Sequence, residues 1–194
     1  EELEWLGRMV SDMLFLAKTE HGVDLPHRER FPAQDDAHAL LEFHAAVAEE
    51  KRIRMEVQGA ADVVGDRLMF RRAVSNLLSN ALRHTPEGGA VTLRIANDAQ
   101  ATTVAVENTG EDIPPDMLPR LFDRFYRAGS ARTHAGSGGT GLGLPIVKKI
   151  IEEHGGTLTL TDTLPRGATA EIRLPLAHPP PSRARNGANS QVLK

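Results

Sequence analysis

The segment from Gly65 to Pro86 constrains the fold more than any other stretch of the chain. Leu77, Leu78, Ala81 and Leu82 recur with helical spacing, while Asn76, Asn80, Arg83 and His84 stand at i, i+4, i+7 and i+8 and share a second face. Asp66 occupies an N-cap position and Pro86 closes the segment, so the spacing predicts a helix over residues 66–84. Such a helix lays an apolar stripe on a core and carries a polar row along its edge.

Around it, helices and strands mix without strict βαβ alternation. Residues 53–57, 62–64, 90–97, 102–108, 157–161 and 168–174 read as strands, with 90–97 and 102–108 an antiparallel pair around Asp98-Ala99-Gln100. Residues 37–51 and 142–154 read as helices, the latter capped by Gly155-Gly156, and residues 116–122 read as a short helix after Pro114-Pro115. This pattern predicts an α/β (α+β) two-layer sandwich, a mixed and largely antiparallel sheet covered by helices on one face. Leu3, Leu6, Val10, Met13 and Ala17 form the stripe of an opening amphipathic helix over residues 1–21 that wants a partner helix. Residues 22–178 hold the main domain. Residues 179–194, led by three prolines, read as a disordered tail.

Composition narrows the function classes. With 40% hydrophobic and 25% charged residues in 194, the chain can bury one ordinary core. A net charge of −3 gives no basic field of the kind that draws a protein to nucleic acid, and the absence of cysteine removes disulfides and thiolate metal sites. No apolar run approaches the roughly 20 residues of a spanning helix.

Three stretches could carry chemistry. The polar row of Asn76, Asn80, Arg83 and His84 offers two amide oxygens, a cation and an imidazole, which suits a metal-bridged phosphate because Mg²⁺ takes oxygen ligands and shares them with substrate phosphates. A solvated helix face explains the same row, and taken alone the helix favours that. Asn108-Thr109-Gly110, at the end of a strand, can present an amide to a purine edge or form a plain turn. The run from Gly136 to Leu144 leads straight into a helix, so its amides can converge on an anion. It contains G-x-G-x-x-G, but no strand precedes it, and no G-x-x-x-x-G-K-[ST] occurs; neither a dinucleotide fold nor a P-loop fits. Residues 128–140 are nearly devoid of apolar side chains and read as a mobile lid, with Phe122, Phe125, Tyr126 and Arg127 beside it.

In order and spacing these stretches resemble the catalytic, ATP-binding domain of sensor histidine kinases, within the gyrase, heat-shock-90, histidine-kinase and mismatch-repair superfamily and especially its heavy-metal sensor subgroup. The Asn box matches at residues 76–85, the first Gly box at 108–113, the Phe box at 121–127 and the second Gly box at 139–144. The resemblance implies Asn80 as a Mg²⁺ ligand with Asn76 beside it, Arg83 on the phosphates and His84 by the ribose or base. It implies Asn108 as reader of the adenine amino group, with Gly110 and Ile113 in the same box. Tyr126 and Arg127 would lie by the lid, Arg127 reaching the γ-phosphate, while Gly139, Thr140, Gly141, Leu142 and Gly143 would cradle the phosphates. Thr169 would support the adenine pocket. The sequence departs from the family at two places: Asn108 stands where Asp is usual, and Asp112 replaces the second glycine of its box.

The family's phosphoacceptor is a His on the first bundle helix, in a context like Ser-His-Glu-x-x-[Thr/Asn]-Pro, and none of the eight His here has those neighbours. The resemblance therefore implies a fragment that binds ATP and Mg²⁺ and passes the γ-phosphoryl group to a His carried elsewhere in a longer bacterial sensor, anchored in the inner membrane with this part in the cytoplasm. It implies a homodimer through the helical bundle, and a response regulator receiver domain as the next acceptor. An anti-sigma-type serine kinase of the same fold and a non-catalytic nucleotide-sensing module stay open. A gyrase-like hydrolase fits less well, since those relatives carry a Glu base where this helix has Asn76.

Overall fold

The computed structural model describes residues 2–19, 27–126, 140–163 and 166–176. Five strands form the main sheet in the order β2 (Arg54–Gln58), β4 (Ala90–Asn97), β5 (Ala101–Thr109), β7 (Gly167–Pro175), β6 (Thr157–Asp162). The β2–β4 pair is parallel and the other three are antiparallel, so the mixed, largely antiparallel sheet expected from the sequence is present. Strand alternation puts Val91, Leu93 and Ile95 of β4, Val104 and Val106 of β5, and Ile172 and Leu174 of β7 on one buried face. Three helices pack on that face: α2 (Ala33–Glu50), α3 (Arg67–His84) and α4 (Gly143–Glu153). Thr92, Arg94, Glu107 and Glu171 point the other way, and Arg94 and Glu107 pair there at 2.8 Å.

The central helix follows its sequence closely. Phe70, Ala73, Val74, Leu77, Leu78, Ala81 and Leu82 of α3 are buried, each large one contributing about 1.5–3 kcal/mol of burial. The Asp66 carboxylate accepts the Met69 N–H at 3.1 Å, which is the expected N-cap. At the other end Thr85 Oγ1 donates to the Ala81 carbonyl, and Lys51 Nζ donates to the carbonyls of Leu82 at 2.8 Å and Arg83 at 3.4 Å. A cation thus sits on the negative end of the helix dipole.

Other elements differ from expectation. A two-stranded antiparallel sheet joins β1 (Arg28–Pro32) to β3 (Asp62–Asp66), and β1 has no sequence signature because only Phe31 of its five residues is buried. Phe31 meets Phe70 at 5.3 Å between ring centroids and so anchors this small sheet to α3. Helix α2 starts at Ala33, four residues earlier than the apolar pattern indicates. The expected helix at residues 116–122 shrinks to one 3₁₀ turn, Leu118–Arg120, because Pro119 lacks the N–H that a longer helix needs.

Helix α1 (Glu2–Thr19) lies against the domain through Leu16, with the Asp12 carboxylate on Arg72 at 2.7 Å and the Arg72 guanidinium 4.3 Å above the Phe15 ring. Leu3, Leu6, Val10 and Met13 remain 48–84% exposed. No helix among the described residues is long and apolar enough to cross a membrane. The tail at 179–194 lies outside the described residues.

Candidate functional site

Helix α3 runs beneath the site and supplies its floor. Asn76 and Asn80 are half-buried one turn apart, followed by exposed Arg83 and His84, so the polar row survives as a continuous edge. The Asn76 Nδ2 group is buried and has no hydrogen-bond partner among the described residues, which leaves it as a donor without an acceptor there. Gly143, the first residue of α4, stands against the Asn76 side chain: a Cβ there would lie 3.9 Å from Asn76 Cγ and Oδ1. Among the described residues no side chain caps α4, so its leading N–H groups keep their capacity for an anion, while Thr140 Oγ1 accepts the Leu142 N–H at 3.3 Å.

The loop after β5 packs on the far end of α3. A Cβ on Gly110 would meet the His84 carbonyl at 2.8 Å, so only glycine lets the two segments approach this closely. Just before it, Asn108 is 7% exposed, and its Nδ2 donates to the Thr109 carbonyl at 3.2 Å. That bond leaves Oδ1 as the acceptor the side chain can offer. Gly167 of β7 is pressed so tightly on Asn108 that a Cβ would overlap the Asn108 carbonyl oxygen. Two carboxylates clip this corner together: Asp112 Oδ1 accepts the Gly167 N–H at 3.1 Å, and Asp162 Oδ1 accepts the Ile113 N–H at 2.9 Å. The departure at Asp112 is therefore a structural bond where a glycine would have none.

The described end of the glycine-rich segment is stapled. The Phe125 N–H donates to the Gly141 carbonyl at 3.0 Å, and a Cβ on Gly141, whose φ is +72°, would come within 2.8 Å of Phe125 Cα. Phe125 itself adopts φ +63°, uncommon for a bulky residue. Tyr126 lies under the Arg120 guanidinium at 4.4 Å, and Lys148 of α4 lies 5.5 Å from the Phe122 ring centroid. Leu142 is fully buried and anchors the start of α4. Arg127, Gly139 and the stretch 128–139 lie outside the described residues.

Electrostatics favour uncharged imidazoles near α3. Partial desolvation, with the Arg83 and Lys51 cations close by, holds the His84 pKa below its ordinary value even though part of the ring faces solvent. His44 of α2, buried against Ser75 Oγ at 3.3 Å, is lowered by burial alone.

Residues 65–178 match the family described as histidine kinase-, DNA gyrase B- and HSP90-like ATPase. The chain belongs to this ATPase family. It is 44% identical over 176 residues to the sensor histidine kinase CusS of Escherichia coli O157:H7, covering 90% of this chain and 36% of CusS. Sensor protein CzcS of Cupriavidus metallidurans is 34% identical over 175 residues, covering 90% and 37%. The chain thus spans about a third of the length of these relatives. Among solved structures, the mycobacterial sensor histidine kinase MprB superposes with a TM-score of 0.64 at 31% identity, covering 77% of this chain and 97% of that one. The histidine kinase ThkA, solved in complex with the response regulator protein TrrA, gives 0.68 at 21% identity, covering 90% and 48%.

Within this ATPase domain the sheet register corrects one expectation. Asn108 stands opposite Ala168, and Thr169 stands opposite Glu107. Directly paired residues share a face, so Ala168 flanks Asn108 while Thr169 points to the helix-free face, where its hydroxyl meets that of Thr163. Thr169 is not a wall of a pocket at Asn108. Sequence reasoning also missed Lys51, whose position just past a helix end is the cue that a lysine there can reach a neighbouring C-terminus.

Proposed function

We propose that this ATPase domain binds ATP with Mg²⁺ in the cleft bounded by α3, the end of β5 and the start of α4, as the catalytic part of a sensor histidine kinase. The observation that carries the reading is the Asn76 side chain, which lies beside the uncapped start of α4 and whose buried Nδ2 has no hydrogen-bond partner among the described residues. A phosphate oxygen entering between them would satisfy both sets of donors, and water-filled alternatives would leave the α4 amides without an anion.

The donor set fits Mg²⁺. Asn80, one turn beyond Asn76, presents an amide side chain on the same edge, and among the described residues no group of three or more His, Cys, Asp or Glu could hold a metal by itself. A hard cation held by Asn80 would complete its coordination with substrate phosphates and water, and would neutralise charge on the phosphates. Asn108 Oδ1 would accept from the adenine amino group beside Gly110 and Ile113, with Ala168 behind it. Arg83, and His84 as a neutral imidazole, would line the phosphate and ribose end. Tyr126, Thr140, Gly141, Leu142 and Gly143 would border the phosphates, joined by Gly139 and Arg127, Arg127 reaching the γ-phosphate.

On this reading the γ-phosphoryl group passes to a histidine on a bundle helix, α1 belongs to that bundle and mediates a homodimer, and a response regulator receiver domain takes the phosphoryl group next. The whole protein is a bacterial inner-membrane sensor with this domain in the cytoplasm. Support for the relay comes from ThkA, which shares the fold and is solved with its response regulator.

The test is calorimetric titration of the chain with a non-hydrolysable ATP analogue, with and without Mg²⁺, beside Asn80→Ala. Saturable binding that Mg²⁺ tightens at least about tenfold, with that gain lost in the variant, is the expected result, because an amide ligand to a phosphate-bound cation is a charge-assisted contact. No binding by the parent chain, or an unchanged Mg²⁺ effect in Asn80→Ala, refutes the assignment.

A further inference from the structure

His154 ends α4, and no part of the nucleotide reading uses it. It is 3% exposed and bonded at both ring nitrogens. Nδ1 lies 2.7 Å from the Ile150 carbonyl one turn earlier, and Nε2 lies 3.0 Å from the backbone N of Asp66. A backbone N–H can only donate, so Nε2 is the acceptor and the ring proton sits on Nδ1, donated to Ile150. Gly65 makes room for this contact, since a Cβ there would overlap the imidazole. Asp66 is itself the N-cap of α3: its carboxylate holds the Met69 N–H while its own N–H goes to His154. One imidazole therefore ties the end of α4 to the first turn of α3.

The opposite end of the same helix pair is the cleft, where Gly143 faces Asn76. The 11 residues of α4 span about 16 Å at 1.5 Å per residue. Ile146, Val147, Ile150 and Ile151 bury α4 along its length, so it moves as a rod rather than by bending. Shifting the rod at His154 re-aims the amides at Gly143. Packing alone sets the axis distance loosely, because apolar contacts lack direction, whereas two hydrogen bonds on one ring fix position and rotation.

We propose that His154 is a positioning residue for the nucleotide site, a latch that fixes α4 against α3 and so sets the spacing between the α4 N-terminus and Asn76. This rests on the nucleotide-binding reading above. The latch requires an acceptor at the place of Nε2 and has no need of an imidazole as such. Gln at position 154 can bring its Oε1 there; Asn can serve the Ile150 carbonyl and is too short to reach Asp66.

The experiment compares the parent chain, His154→Asn and His154→Gln by calorimetric titration with a Mg²⁺-bound non-hydrolysable ATP analogue, and by hydrogen exchange of the Asp66 amide without nucleotide. We expect His154→Asn to bind about two- to tenfold more weakly, the range of one internal hydrogen bond, with faster Asp66 exchange, and His154→Gln to restore both. Parent-like affinity in His154→Asn, or equal weakening in both variants, overturns the positioning role. Unchanged Asp66 exchange in His154→Asn overturns the latch itself. A parent chain that binds no nucleotide, with Asp66 exchange still accelerated in His154→Asn, leaves the bond standing, refutes the site reading and removes the proposed purpose with it.

Discussion

Asp112 stands where the resembled family carries glycine, and its carboxylate accepts the Gly167 N–H at 3.1 Å. Gly167 in turn is pressed on the backbone of Asn108, the residue assigned to the adenine edge. Removing the carboxylate frees the start of β7 to move away from Asn108 and blurs the position of its side chain. Restoring the family residue should therefore harm the site: Asp112→Gly is expected to weaken affinity for the Mg²⁺-bound ATP analogue by about two- to fivefold, the lower end for a hydrogen bond reached by solvent. Asp112→Asn keeps an acceptor oxygen and should bind like the parent. A competition titration of the three proteins against a fluorescent adenine nucleotide decides the matter, and tighter binding by Asp112→Gly would show that the carboxylate is a burden rather than a clip. The same corner explains why Thr169 was misplaced from the sequence. Which side of a strand faces a site depends on register, and one residue of slip exchanges the two faces.

Among the elements, α2 and α3 share one buried carboxylate that ties their first turns together. Asp36 is fully buried in the first turn of α2 and takes Arg67 Nε at 2.9 Å and Arg71 Nη1 at 2.7 Å, the two cations coming from successive turns of α3. The Asp36 carboxylate raises the Arg67 pKa, chiefly through their hydrogen bond. Asp36→Ala leaves two guanidinium groups beside an apolar seam, although both can swing partly into water. The expected cost is a melting temperature lower by roughly 3–10 °C in a calorimetric scan, with Arg71→Ala alone costing less because Arg67 still serves the carboxylate. A melting temperature unchanged by Asp36→Ala would mean that apolar packing, with the His44–Ser75 and Lys51 bonds, docks α2 without the carboxylate. Neither this bridge nor β1 can be read from the sequence. Helix α3 was legible because its apolar period, its Asp66 cap and its Pro86 stop agree with one another. Strand β1 was not, since Arg28, Glu29 and Arg30 are exposed and its pairing partner, β3, lies 30 residues further on. Likewise the proposed site at Asn76, Asn80 and the glycines rests on residue type and spacing, which a sequence carries, whereas the tie from His154 to Asp66 joins residues 88 positions apart and needs the fold to exist.

For the molecule as a whole, the unresolved tension lies in α1, which shows two apolar faces to two environments. Leu16 and Phe15 turn toward the domain, while Leu3, Leu6, Val10 and Met13 form a stripe at helical spacing that the domain leaves exposed. A helix buried only by its own domain would need one such face, and a continuous exposed stripe on a soluble surface marks a place where another surface packs. A second copy of the same helix fits the proposed bundle, since identical stripes are self-complementary about a two-fold axis. Sedimentation equilibrium should then show concentration-dependent association that Val10→Glu abolishes. Val10 is 54% exposed, so the substitution should leave the melting temperature of the dilute monomer within about 2 °C and the nucleotide affinity unaltered, as expected for a surface site. If Val10→Glu instead lowers the melting temperature of the monomer by several degrees without touching its association state, the stripe closes on its own domain in solution. The second face of α1 would then be part of the fold and not of an assembly.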